Sequence, residues 1–149
     1  MTATDTAITA CDVGVWIDNA AGTLKDVSGS SNKATLNFDN NLGQFTPFGA
    51  QWPKRVECGK DAKIDLEIIY STAADEGFDI IKNWFFATPS GDRTVRIYVP
   101  DKNVGSDMFY GEHKIQNFSF ALTGGSADPV VVSVSLLPNG EVSHVVNAT

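Results

Sequence analysis

Residues 72–88 read TAADEGFDIIKNWFFAT, the one stretch of the chain with sustained helical spacing. Phe78, Ile81 and Phe85 fall at i, i+3 and i+7, with Ile80 and Trp84 beside them, so a helix over about 73–87 carries an apolar stripe. Asp75, Glu76, Asp79, Lys82 and Asn83 lie on the other side. Thr72 and Asp75 have capping-box spacing, with Asp in place of Glu or Gln. Asp75 and Glu76 also put negative charge at the positive end of the helix dipole. Pro89, Ser90 and Gly91 end the helix. Phe86 interrupts the polar side, which points to a second covered surface there. Strand-like sequence flanks the helix, so its stripe is expected to close one face of a β-sheet core.

Before the helix, residues 11–18 alternate, with Val13, Val15 and Ile17 on one face and Asp12, Gly14, Trp16 and Asp18 on the other. A turn over 19–22 leads to a short returning strand, 23–27. Lys33–Asp39 alternates more cleanly, with Ala34, Leu36 and Phe38 opposite Lys33, Thr35, Asn37 and Asp39. Residues 60–70 do the same: Ala62, Ile64, Leu66, Ile68 and Tyr70 take one face; Lys63, Asp65 and Glu67 the other. After the helix, Arg93–Val99 puts Val95, Ile97 and Val99 inward and Arg96 and Tyr98 outward. Val104–Glu112 has no period and reads as an irregular link containing Met108, Phe109 and Tyr110. Ile115–Leu122 sets Phe118, Phe120 and Leu122 against Asn117, Ser119 and Ala121. Val130–Leu137 sets Val130, Val132, Val134 and Leu136 against Val131, Ser133 and Ser135. The segment 141–146 is a plausible closing strand.

Four of these strands share one design, an apolar face and a face of small polar and charged residues, and they form two pairs, one on each side of the helix. The expected fold is mainly β: one domain over residues 1–149, an antiparallel sandwich or barrel with one flanking helix. Strand parity puts Lys33, Thr35, Asn37, Asp39, Lys63, Asp65, Glu67, Asn117, Ser119, Ser133 and Ser135 away from the core.

Residues 40–56 show no convincing period and read as a long loop carrying Leu42, Phe45, Phe48 and Trp52 with Pro47 and Pro53. Loops of that length are functional or disordered, and four large apolar residues speak against disorder. Either the loop meets a partner or it folds back over its own core.

A chain of 149 residues with 11 basic and 18 acidic residues, net charge −7, suits a single domain and not a protein that grips nucleic acid by counterion release. The first twelve residues have neither a basic n-region nor an apolar run, so no signal peptide is expected, and no window approaches a membrane span. Cys11 and Cys58 are too few for a disulfide scaffold and lack zinc spacing; buried thiols are the expectation. No catalytic motif is present. His113 and His144 are isolated and read as surface residues. Asp65 and Glu67 share a strand face, but nothing beside them resembles a nucleophile. Neither an enzyme nor a cofactor is expected.

The order of parts resembles the major tail tube protein of long-tailed, siphovirus-type bacteriophages over nearly the whole chain. The resemblance rests on VGVWID at 13–18 and GTLKD at 22–26, TPFG at 46–49 with Trp52, and CGKD at 58–61. It continues through the aromatic helix end, RIYV at 96–99, Tyr110 with Gly111, and the hairpin from FSF at 118–120 to 130–137. The chain departs from that family in its brief tail after Val146, where many members carry a further domain. The glycine-ended finish of the last hairpin appears only as PNG at 138–140. The resemblance implies hexameric rings whose hairpins merge into one inner β-barrel, stacked into a virion tail tube assembled in the host cytoplasm. It also implies tape-measure and tail-terminator type partners, with DNA passing through without sequence-specific binding. On that reading the eleven polar positions line the lumen. Leu42, Phe45, Phe48 and Trp52, with Phe109 and Tyr110, are the candidate contacts between subunits or rings. The rival expectations are a carbohydrate-binding or adhesion β-sandwich, and the tube protein of a contractile injection apparatus.

Overall fold

In a computed structural model that describes residues 13–99, 101, 103–125 and 127–148, with the backbone alone for Ser30, the strands join in one antiparallel sheet. They are β1 (Gly14–Asp18), β2 (Leu24–Asp26), β3 (Ser31–Phe45), β4 (Lys54–Ile69), β5 (Arg93–Val99), β6 (Asp107–Phe120), β7 (Val131–Pro138) and β8 (Ser143–Val146). Helix α1 (Gly77–Phe86) lies between β4 and β5. The spatial order is β2-β1-β5-β6-β7-β4-β3, and β8 pairs with the start of β6.

Alternation in the sequence becomes rows across the sheet. Ala34, Leu66, Val134 and Phe118 stand side by side on β3, β4, β7 and β6, and the next row is Leu36, Ile64, Leu136 and Ile115. Ile115 and Phe118 share a face despite opposite parity because β6 carries an extra residue between Ile115 and Asn117. The sheet curls until these rows face Val15 and Ile17 of β1 and Val95 and Ile97 of β5, with Phe78, Ile80, Ile81 and Trp84 of α1 completing one core.

The helix begins at Gly77, later than its spacing predicts, and Glu76 is its N-cap. Asp75 takes φ 61°, outside the helical region, so the box from Thr72 to Asp75 does not form. The Asp79 carboxylate instead accepts the Asp75 N–H at 3.1 Å. Phe85 does not join the buried stripe and stands exposed beside Phe86, while Trp84 is fully buried. The Trp84 indole N–H donates to the Gly91 carbonyl at 3.1 Å, and the Arg93 guanidinium lies 5.5 Å from its ring centroid.

Two segments expected to be irregular are strand. Residues 40–56 are mostly ladder: β3 runs on to Phe45 and β4 starts at Lys54, so only 46–53 form the connection. Asp107–Glu112 is the first half of β6, paired with β5 on one side and with β8 along 107–110. Here β8 is reached by a chain that crosses close to Gly111, where an added Cβ would stand 2.8 Å from the Glu141 carbonyl oxygen. Backbone cannot swing aside as a side chain can. Gly111→Ala is therefore expected to lower stability by about 1–3 kcal/mol in urea unfolding, as overpacking does. An unchanged midpoint would mean that β8 yields freely.

The thiols divide. Cys58 is exposed on β4, against the expectation of burial, because it is the extra residue of a bulge in a two-stranded ribbon with nothing packed over it. Cys11, like the rest of residues 1–12, lies outside the described residues.

Candidate functional site

Register brings together the polar positions predicted from parity. Lys33, Glu67, Ser133 and Ser119 make one row across β3, β4, β7 and β6; Thr35, Asp65, Ser135 and Asn117 make the next. Asn37 stands opposite Lys63 and Asp39 opposite Asp61. None of the eleven residues is buried. A strand has two sides, and on all four strands one of them belongs to the core, so the other makes a continuous hydrophilic wall. Ser135 donates its hydroxyl proton to Asp65 at 2.8 Å, and the Lys63 ammonium lies 3.7 Å from the same carboxylate. Asp61 and Lys114 belong to this face too and were missed: Asp61 has the parity of Lys63 but stands at the start of the alternating run, and Lys114 lies before the β6 bulge. With them the wall carries four carboxylates and three ammonium groups, a net of −1 per chain. The Lys114 charge is turned to Asp92 at 2.8 Å.

Before residue 64, β7 does not flank β4, and β3 and β4 form a bare ribbon. This arm carries Leu42 and Phe45 on its β3 strand and Val56 on its β4 strand, all exposed. Phe48 and Trp52 sit at its tip, with Trp52 80% exposed and Phe48 wholly so. The arm packs back on nothing that would hide these side chains, so the expectation that residues 40–56 fold over their own core does not hold.

His113 is fully buried, not a surface residue. Its place on β6 between the inward-facing Gly111 and Ile115 sends the ring into the core, against the polar look of its neighbours. Its Nδ1 is 2.9 Å from the Gly111 carbonyl, and Nε2 has no partner. Burial holds its pKa below the ordinary imidazole range, against smaller opposite pulls from the Gly111 carbonyl and Glu112, so the ring is neutral at neutral pH. Arg93, its neighbour across β5–β6, reaches the Asp18 and Ile80 carbonyls at 3.3 and 3.4 Å and ties the helix to β1. These are structural positions. Among the described residues no group of three or more His, Cys, Asp or Glu could hold a metal, and no helix is long and apolar enough to cross a membrane.

No protein-family model matches the chain, and no curated protein matches it in sequence. Solved structures match over nearly its full length. A chain from the tail of an empty gene transfer agent particle, refined with C6 symmetry, superposes with a TM-score of 0.73 at 14% identity, covering 93% of this chain and 99% of that one. The SPP1 tail tube gives 0.74 at 14% identity, covering 96% and 81%. The fold is that of a tail tube protein. A chain of the anti-feeding prophage baseplate, at 0.74 and 10% identity over 95% and 97%, has the same tail-tube fold. Identities this low follow from what the fold demands: alternation and register fix each face, while any β-branched or aromatic residue can fill the inner one. Within this tail-tube fold the predicted contact residues divide. Leu42, Phe45, Phe48 and Trp52 are together on the arm. Phe109 is in β6 with its ring 5.3 Å from that of Phe38 and 5.1 Å from that of His144, and Tyr110, on the opposite face, pairs with Arg96.

Proposed function

We propose that this chain is the building block of a virion tail tube: copies close into six-membered rings, rings stack, and DNA passes down the channel. The observation that carries this reading is the hydrophilic wall, four strands wide, backed by one core. A monomer has no use for an open polar sheet face with unpaired edges, and a ring removes the edges. Head-to-tail contacts that close give a ring, and repetition along the axis gives the tube. Lys33, Thr35, Asn37, Asp39, Lys63, Asp65, Glu67, Asn117, Ser119, Ser133 and Ser135 then line the lumen. Lacking any cationic excess, the lining would let phosphates slide past without the adhesion of a basic groove. Tape-measure and terminator proteins would be its partners inside and at the ends, and no catalysis is involved.

Negative-stain microscopy of the purified protein tests the reading: tubes with a central channel are expected. A profile that stays at the 16.0 kDa monomer across a wide concentration range, with folded protein, overturns it. Replacing Asp65 and Glu67 by Lys changes the wall from −1 to +3 per chain, since each reversal adds two charges. Screening over ~8 Å confines the effect to the wall, so tubes should still form while DNA delivery slows or stops. Delivery equal to the parent's removes the charge from the account.

The likeness to a chain of the sheath-tube complex of an extracellular contractile injection system, at a TM-score of 0.70 and 10% identity, favours a second reading, the tube of a contractile injection apparatus. Particles purified with this chain would then carry a sheath outside the tube and no DNA-filled capsid above it.

A further inference from the structure

Every second residue of β1 and β5 enters the core, Val15 and Ile17 on one and Val95 and Ile97 on the other. The residues between them form a second face, on the side of the core away from the polar wall. One row across it reads Asp26, Trp16, Arg96, Tyr110 and Ser143 on β2, β1, β5, β6 and β8; the next holds Tyr98 and Met108. Trp16, Arg96, Tyr98, Met108 and Tyr110 are all half-buried, and the Trp16 and Tyr98 rings meet edge to face at 6.5 Å between centroids. Tryptophan, tyrosine, methionine and arginine are the residue types enriched where proteins meet.

An unmatched charge stands at the centre of this face. Among the described residues, Arg96 is the one cation that is half-buried yet has neither an ion pair nor a hydrogen bond. Its Nε and the indole nitrogen of Trp16 opposite are covered without a partner, while the terminal nitrogens of the guanidinium stay open. The carboxylates around it are engaged elsewhere. Asp26 accepts from Ser28, Asp18 from the Thr94 N–H at 3.4 Å and Glu112 from the Thr94 hydroxyl, and Asp107 lies 2.8 Å from His144. A guanidinium held partly out of water without an acceptor is unfavourable, and the group that fits its planar fork is a carboxylate.

We propose that this face docks a second protein on the outside of the tube, and that the partner seats one aspartate or glutamate on the Arg96 guanidinium between Trp16 and Tyr110. Only the outward direction rests on the tube reading: with the polar wall lining the channel, the opposite face of each subunit lies outside. The aromatic rings around the ion pair exclude water from it, and the Tyr98 and Tyr110 hydroxyls are further donors. A net charge of −7 repels a generally acidic protein, so the match is a single carboxylate in an apolar or basic segment and not an acidic tail. A peptide suits the face better than a sugar. Sugar rings stack on flat, open aromatic shelves, whereas the Trp16 and Tyr98 rings are half-buried and set at 72° to each other.

Footprinting tests the proposal on tubes grown from purified chain and on complete particles that carry it. Hydroxyl radicals should label Tyr98 and Tyr110 freely in the tubes and roughly tenfold more slowly in the particles, as solvent is excluded from a contact. Protection already present in the tubes overturns the proposal and gives the face to a second copy of this chain. Equal labelling in both overturns it because nothing docks. In particles carrying Arg96→Met the protection should be lost, while the purified variant melts at the parent's temperature, since the missing charge had no partner within the chain. Protection that survives Arg96→Met, or a sharp fall in melting temperature, overturns the role given to the guanidinium. Particles carrying Arg96→Lys should keep most of the protection, and a carbodiimide should couple position 96 to an aspartate or glutamate of another protein, identified by mass spectrometry. Coupling to a second copy or to a sugar acid, or no coupling at all, overturns the carboxylate partner. A parent chain that builds no tubes fails the tube reading instead, and the monomer then takes the place of the tubes in the same comparison.

Discussion

A chain carrying Phe48→Ser and Trp52→Ser together is expected to fold with undiminished stability and to build no tubes at concentrations where the parent does. Both side chains stand almost wholly in solvent at the tip of the arm, so neither supports the core. If the tip inserts into an adjacent subunit or ring, each buried ring contributes ~1.5–3 kcal/mol to that contact. Losing both at every repeat raises the assembly threshold by at least ~100-fold, since 1.4 kcal/mol is a factor of ten. Thermal melting and light scattering on the same sample separate the two effects. A double variant that melts early while its folded fraction assembles normally would place the tip in the core.

Trp84→Ala has the opposite signature. The indole is fully buried between α1 and the sheet, holds the Gly91 carbonyl, and is the surface on which the Arg93 guanidinium rests. Removing it leaves a large cavity and a cation without its apolar cover, at a cost of ~3–5 kcal/mol. The melting temperature should fall by roughly 10 °C for a chain of this size. Phe85→Ala, one residue on and exposed, should move it by far less. Equal losses would mean that the helix turns a different face to the core from the one described.

Where one face of the sheet is covered by the core, the strands were legible. Lys33–Asp39, Arg93–Val99 and the stretches near 64–69 and 131–136 alternate because the core selects every second residue. The eleven polar positions could be grouped for the same reason. The arm was not legible as strand: a ribbon bare on both sides has no core to impose alternation, and Gly43, Gly59, Pro47 and Pro53 gave it the look of a loop. The first half of β6 was hidden by its bulge, which sets Ile115 and Phe118 on one face at a spacing that fits no simple period. His113 was misread through its neighbours Glu112 and Lys114, although they point away from it. The helix start was misplaced because Thr72 and Asp75 imitate a cap, while the positive φ of Asp75 has no signature short of glycine.

The bulge at Cys58 makes the arm a graduated ruler. Because Cys58 is unmatched between the pairs Asn41–Gly59 and Leu42–Glu57, only one strand changes parity there, and Phe45 and Val56 come to share a face while Leu42 takes the other. From Asp39 to Phe45 the ribbon reaches about 20 Å at ~3.3 Å per residue. Adding one residue to each strand would lengthen it but present Leu42 where Phe45 and Val56 had been. Adding two to each restores the presentation and extends it by ~7 Å. Arm length is thus quantised, and any spacing between rings that the arm sets can change only in increments of that size.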